Sequence, residues 1–140
     1  DKMKLTNKEI VFIALLVVEF SICFFMLEHF SIFQFMLFVQ IIPSILLAFI
    51  SGNIAVKNKH TWLILISFGI IHALMMFAIF SVTPMTMIEQ NTIQSETSVF
   101  TFNRNLQFGT YFGFFLQELL LGGFIAILSK TFRKVKQGQF

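Results

Sequence analysis

The sequence predicts an all-α membrane protein whose four transmembrane helices form two antiparallel hairpins. Three observations favour this fold class. Of the 140 residues, 56% are hydrophobic and only 12% are charged, whereas charged residues make up about a quarter of an ordinary soluble domain. The chain contains four apolar runs, each near the roughly 20 residues that a spanning helix needs, and its basic residues lie at the ends of those runs. Because little chain is left over, residues 1–140 are expected to form a single integral membrane domain.

The four helices are expected at about residues 9–29, 32–56, 61–82 and 105–129. A short turn joins the first helix to the second, which makes these two helices antiparallel neighbours. Pro84 is expected to end the third helix. Residues 83–104 then form an outer loop, which either binds a partner or merely connects two helices and which has room for a short interfacial helix. Residues 130–140 form a basic cytoplasmic tail.

The positions of the basic residues predict the orientation of the chain. Lys and Arg residues are enriched in the cytoplasmic segments of membrane proteins. Here they cluster before the first apolar run, between the second and the third, and after the fourth. This bias places both termini in the cytoplasm of a multi-pass cell-membrane protein. It also explains the net charge of +3 without a nucleic-acid partner. In the tail, anionic lipid headgroups are expected to attract Lys130, Arg133, Lys134 and Lys136.

Ionisable residues near the midpoints of three runs are the main functional clue. These residues are Glu19, His72 and Glu118. A charged side chain at the centre of a spanning helix is costly, so it usually faces the bundle interior, finds a partner and serves a function. We therefore interpret the three as candidates for a central ion-binding site. A second group would support that site through hydrogen bonds or a hinge, and its members are Gln40, Pro43, Ser44 and Gln117.

Pro43 admits two interpretations. Its missing N–H and its ring open or kink a helix, and neighbouring helices in a membrane can satisfy the carbonyl group that is released. The break serves either packing alone or a functional hinge.

Small residues predict where helices approach closely. They lie at helical spacing in the last three runs, where a smooth surface permits tight contact between membrane helices. They are Ala48, Gly52, Gly69, Gly109, Gly113 and Gly122. Cys23 is the only cysteine, so it forms no intrachain disulfide, and we expect it to be a small apolar filler.

Three short motifs resemble those of a family of small bacterial inner-membrane proteins of unknown function. They are Val82-Thr83-Pro84-Met85-Thr86, Gln117 followed five residues later by Gly122, and the closing Phe132-Arg133-Lys134. The resemblance implies two tandem transmembrane hairpins and a bacterial inner membrane, and it implies no activity.

Three classes of function remain open from the sequence. In the first, Glu19, His72 and Glu118 couple proton or cation binding to transport of a small molecule, through a pathway that would need a homodimer. In the second, the chain is a non-catalytic accessory or regulatory subunit of a larger membrane protein. The third is an intramembrane metal-dependent enzyme, but the chain has neither an HExxH motif nor a phosphate-binding loop. We therefore expect no enzyme, no cofactor and no bound metal.

Overall fold

The computed structural model describes residues 7–92, 101–102, 104–136 and 138. These residues are helical almost throughout and include no strand. Four helical segments are long and apolar enough to cross a membrane. We name them the first to the fourth span, and they cover Asn7–His29, Ile32–Val56, Thr61–Val82 and Phe108–Lys136. The prediction of an all-α chain with four potential transmembrane helices is therefore confirmed.

The first span is one long helix with a tightened end. Helix α1 (Asn7–Met26) continues into a 3₁₀ turn at Leu27–His29. The second span then begins with α2 (Ile32–Phe35), whose start is fixed by a capping box. The Ser31 hydroxyl accepts the N–H of Gln34, and the Gln34 side chain accepts the N–H of Ser31. This reciprocal pair satisfies backbone donors that the first helical turn leaves open.

The middle of the second span is widened into a π-helical segment. It covers Met36–Ile41 and leads into α3 (Ile42–Val56). The N–H of Ile42 donates to the carbonyl of Leu37, five residues back. In the same pattern the carbonyl of Phe38 would pair with residue 43, but proline has no N–H. The thiol of Cys23, from the first span, donates to that carbonyl at 3.2 Å. A neighbouring span thus satisfies the group that Pro43 leaves open.

The segment between the third and the fourth span contains a short helix. The third span is α4 (Thr61–Val82), and α5 (Met85–Asn91) follows it directly. The side-chain amide of Asn91 donates to the carbonyls of Glu28 and Phe30, while the hydroxyl of Thr92 accepts the N–H of Ile32. Hydrogen bonds from the end of helix α5 therefore stabilise the turn between the first two spans. Residues 93–100 and 103 of the predicted outer loop lie outside the described residues.

The fourth span starts later and ends later than the predicted range 105–129. Helix α6 covers Phe108–Lys136. The helix begins later than predicted because Phe102 and Arg104, which precede it, are hydrogen-bonded to α5. There Glu89 accepts the N–H of Phe102 and two hydrogen bonds from the guanidinium of Arg104. The helix continues through residues 130–136 of the predicted basic tail, since no Gly or Pro interrupts them. Residues 137, 139 and 140 of that tail lie outside the described residues. Gly138 then adopts a φ of 68°, a left-handed conformation typical of helix ends.

Helix α3 lies at the centre of the bundle and packs against α1, α4 and α6. Its most extensive contact is with α6, whose buried residues are Glu118, Gly122 and Ala126, spaced four apart. The opposite faces of the spans carry large exposed apolar side chains, such as Leu120 at 73% and Trp62 at 67% exposure. Apolar surface of this extent is rare on soluble monomers and suits contact with lipid.

Candidate functional site

The core of the candidate site is a hydrogen bond between the second and the fourth span. Ser44 lies directly after Pro43 at the start of α3, and its hydroxyl donates to Oε2 of Glu118 at 2.8 Å. Both residues are only 1% exposed. Glu118 faces α3 because it belongs to the buried stripe of α6, and the hydroxyl of Ser44 meets it at the same level of the bundle.

The second oxygen of Glu118 is the open position of this site. Oε1 is buried and has no hydrogen-bond partner among the described residues. The adjacent Gln117 is partly turned toward the site, where its side-chain amide donates to the Ser44 hydroxyl at 3.5 Å. Glu118, Ser44 and Gln117 thus supply a carboxyl, a hydroxyl and an amide at one place. Oxygen atoms of these types can bind a proton or a hard cation.

His72 lies in the third span, beside the same face of α6. It is 1% exposed, and its Nδ1 has no hydrogen-bond partner among the described residues. Its ring meets that of Phe114 edge to face, with 6.0 Å between the ring centroids. Because Phe114 precedes Glu118 by one helical turn, His72 lies closer than Glu118 to the end of the bundle that carries α5.

Glu19 belongs to a separate polar group on the first span. Its Oε1 accepts the Cys23 thiol at 3.1 Å, and its Oε2 is buried without a described partner. The single S–H of Cys23 is shared with the carbonyl of Phe38, which also lies within hydrogen-bond distance of the sulfur, at 3.2 Å. Cys23 is buried, but its role goes beyond the predicted apolar filler, since it joins Glu19 to the π-helical segment. Gln40 lies in that segment and is half-buried.

The structure therefore places the three predicted ionisable residues in different local surroundings. Among the described residues, no hydrogen bond or ion pair joins Glu19, His72 and Glu118 to one another. No group of three or more His, Cys, Asp or Glu side chains in this part of the chain is arranged to hold a metal ion. Of the three, Glu118 has the most complete set of polar neighbours.

Three of the predicted small residues lie at tight contacts around this site. A Cβ atom on Gly52 would lie 2.9 Å from the backbone nitrogen of Ala126. One on Gly69 would meet the ring of Phe115 at 2.8 Å, and one on Gly122 would meet the Ser51 hydroxyl at 2.7 Å. Ala48 is also buried, one helical turn before Gly52.

The predicted glycine pair of the fourth span behaves differently. No described atom lies within 4 Å of a Cβ built on Gly109 or Gly113. Close helix contact at these two positions is therefore not made with the described part of this chain.

Sequence reasoning missed a second polar cluster, at the end of the bundle where α1 begins and α3 and α6 end. Glu9 is 2% exposed and forms an ion pair with Lys57. The hydroxyl of Ser129 donates to the side chain of Asn53 at 2.8 Å. The tail residues Arg133 and Lys136 line a cavity here, whereas Lys130 and Lys134 do not. Charge at the ends of apolar runs indicates topology, but it does not show which side chains meet.

Comparison with known proteins adds no relative. Neither a protein-family model, nor a curated protein, nor a solved structure matches this chain.

Proposed function

We propose that this chain is a polytopic transporter of the bacterial cell membrane in which Glu118 binds a proton or a cation and couples that binding to movement of a small molecule. The observation that carries the proposal is the carboxyl of Glu118, which is buried in a spanning helix with one oxygen bound to Ser44 and the other without a described partner. Ionisable groups at such positions are costly and usually functional.

No described side chain supplies a positive charge that would neutralise an ionised Glu118. Burying an ionised carboxylate without a counter-charge costs several kcal/mol, and Glu118 forms no ion pair within the described residues. A proton or a bound cation therefore has to neutralise it while it faces this interior. Binding and release at Glu118 would then favour different packings of the second and fourth spans.

The π-helical segment is the part of the second span where a change in packing against the fourth span would occur. It ends just before Pro43, and Ser44, the partner of Glu118, follows directly. Single π-helical turns inside longer helices are frequent at functional sites. His72, one turn toward the α5 end, is the candidate for passing protons to Glu118, because its buried Nδ1 has no hydrogen-bond partner among the described residues. In this proposal, the spans form two antiparallel hairpins with cytoplasmic termini, and a homodimer completes the pathway.

A flux assay on the purified protein in liposomes tests the proposal. The vesicles contain a dye selective for H⁺, Na⁺ or K⁺, and an imposed gradient of that ion is allowed to decay. We expect the wild-type protein to speed the decay of at least one gradient and Glu118→Gln to slow it to the rate of empty vesicles. Glu28→Gln is the matched control, because it makes the same chemical change in an exposed turn. Equal rates for wild type and Glu118→Gln would contradict the proposal.

A second candidate function is that of an accessory subunit, and the fourth span favours it. Gly109 and Gly113 are exposed and leave a smooth strip on α6. Beside it, α4 and α6 enclose an apolar groove of about 710 Å³ whose walls include Phe77, Tyr111 and Phe112. Small residues let a second helix approach closely in a membrane. The occupant proposed here is a transmembrane helix of a larger protein.

Site-specific crosslinking separates the two candidates. A photoreactive residue at Phe112 should crosslink to the larger protein, and Gly113→Leu should abolish that product. Gly123→Leu is the matched control, because Gly123 also has no described atom within 4 Å but lies away from the groove. A crosslink between two copies of this chain would instead support the dimeric transporter.

A further inference from the structure

The end of the bundle where α1 begins and α3 and α6 end contains a cavity of about 460 Å³. Four basic residues and one acidic residue line it, namely Lys8, Lys57, Arg133, Lys136 and Glu9. Glu9 is buried and pairs with Lys57. The other three basic side chains make no hydrogen bond or ion pair with a described residue. The cavity is therefore strongly cationic.

Apart from the polar side chains of Asn53 and Ser129, the rest of the cavity lining is apolar. The apolar lining comes from Phe49 of α3 and from Ile125, Leu128 and Phe132 of α6. Phe132 is 77% exposed, so this apolar surface continues onto the outside of the fourth span, where lipid chains would lie. Cationic and apolar walls thus meet in one cavity.

Two polar contacts between spans stabilise the walls of this cavity. The Glu9–Lys57 ion pair joins the first span to the end of the second. The hydrogen bond of 2.8 Å between Ser129 and Asn53 joins the second to the fourth. The cavity is therefore assembled from three spans.

We propose that this cavity binds one phospholipid with an anionic headgroup. The phosphate would lie between Lys8, Arg133 and Lys136, and an acyl chain would lie along Phe132 and Leu128. Three features match this ligand and not a soluble anion: the cationic wall, the apolar wall, and the place at the end of the spans, where headgroups lie. Basic pockets between transmembrane helices commonly bind such headgroups. The site is independent of the transport proposed above.

Native mass spectrometry of the full-length protein in a nonionic detergent tests this site. The probes are dioleoyl phosphatidylglycerol and, as an uncharged comparison, dioleoyl phosphatidylcholine. We expect one phosphatidylglycerol to bind at least about tenfold more tightly than phosphatidylcholine, because each basic residue near the headgroup adds roughly a fivefold preference. Millimolar inorganic phosphate should leave the bound lipid in place.

Paired variants of the tail localise the site. Arg133→Gln with Lys136→Gln should weaken phosphatidylglycerol binding about tenfold or more. Lys130→Gln with Lys134→Gln removes the same charge outside the cavity and should change binding by less than about threefold. The charge-conserving pair Arg133→Lys and Lys136→Arg should retain binding and shows that the tail still folds.

Three results would overturn this inference. Equal weakening by both charge-removing pairs would show diffuse attraction to the tail. Displacement of the lipid by inorganic phosphate would show a site for soluble anions. Equal affinity for phosphatidylcholine would show that the basic residues do not select the headgroup.

Discussion

Gly52 and Gly123 show that the role of a glycine depends on which face of its helix it occupies. At Gly52, a Cβ atom would lie 2.8 Å from the Cβ of Ile125 and 2.9 Å from the backbone nitrogen of Ala126. Backbone atoms cannot rotate away as a side-chain tip can. At Gly123, a Cβ atom would have no described neighbour within 4 Å.

We therefore expect Gly52→Ala to lower the free energy of unfolding by about 1–3 kcal/mol, the usual cost of an overpacked core. Gly123→Ala should be neutral or slightly stabilising, because alanine favours helix more than glycine does. Denaturant titration in mixed micelles measures both. Equal effects of the two substitutions would contradict the contact between α3 and α6.

The sequence shows where the glycines lie along each helix, but it does not show which neighbour their helix face contacts. Gly109 and Gly113 have the spacing typical of helix contact, yet no described atom lies close to them. Spacing shows that residues share a face, and it leaves open what that face meets. The same limit applied to Glu19, His72 and Glu118, since their burial and partners depend on helix rotation.

The π-helical segment is held by a bond from another span. Cys23 donates to the carbonyl of Phe38, which cannot pair with residue 43 because that residue is proline. Pro43 predicts an opened helix, but no residue pattern indicates a π-helical turn or a thiol as the partner of the released carbonyl. The capping box Ser31-Ile32-Phe33-Gln34, by contrast, is a recognisable sequence signal.

Cys23→Ala should destabilise the protein by about 1 kcal/mol, because it leaves a buried carbonyl without a donor. Cys23→Ser has almost the same size and keeps a donor, so its loss should be smaller. Unfolding in mixed micelles compares the two variants. If alanine were tolerated better than serine, the bond to Phe38 would not stabilise this segment.

Helix α5 depends on an ion pair outside the membrane-spanning segments. Hydrogen bonds from the Arg104 guanidinium and the Phe102 N–H hold the pKa of Glu89 below its ordinary value of 4.5. A carboxyl with a lower pKa in the folded state stabilises that state above its ordinary pKa. This contribution is lost as the pH falls through the lowered value. Acid should therefore release α5 from Phe102 and Arg104.

Hydrogen exchange tests this pH dependence. Protection of the amides in Met85–Asn91, corrected for intrinsic exchange, should fall as the pH drops below 4.5. Arg104→Gln should lower protection already at neutral pH and flatten the pH profile. Glu28→Gln, an exposed carboxyl at the same end, should leave the profile unchanged. An unaltered profile in Arg104→Gln would rule out the ion pair as its cause.

The amino-acid composition predicts more of the architecture of this protein than the spacing of individual residues does. The apolar content and four long apolar runs predicted an all-α chain with four potential spans, and the structure confirms both. The end of α6 was predicted too early, because the change from apolar to basic residues at Lys130 was interpreted as the end of a helix. Charge marks where a helix leaves the hydrocarbon region, but helix propensity and glycine determine where it stops.

The proposed topology predicts which ends of the spans face the cytoplasm. Cysteines introduced at Lys59 and Lys134 should react with a membrane-impermeant maleimide only after the cells are permeabilised. One introduced at Glu28 should react in intact cells. The wild type is the control, since its single cysteine is buried. The reverse pattern would contradict the placement of both termini in the cytoplasm.

Proton binding by Glu118 is measured most directly by pH-difference infrared spectroscopy of the protein in lipid vesicles, which detects the carboxyl group itself. We expect a carboxyl C=O signal that changes with pH, disappears in Glu118→Gln and persists in Glu28→Gln. The signal should shift in Ser44→Ala, because the Ser44 hydroxyl bonds to this carboxyl. If no titrating signal were lost in Glu118→Gln, Glu118 would not be a proton-binding group.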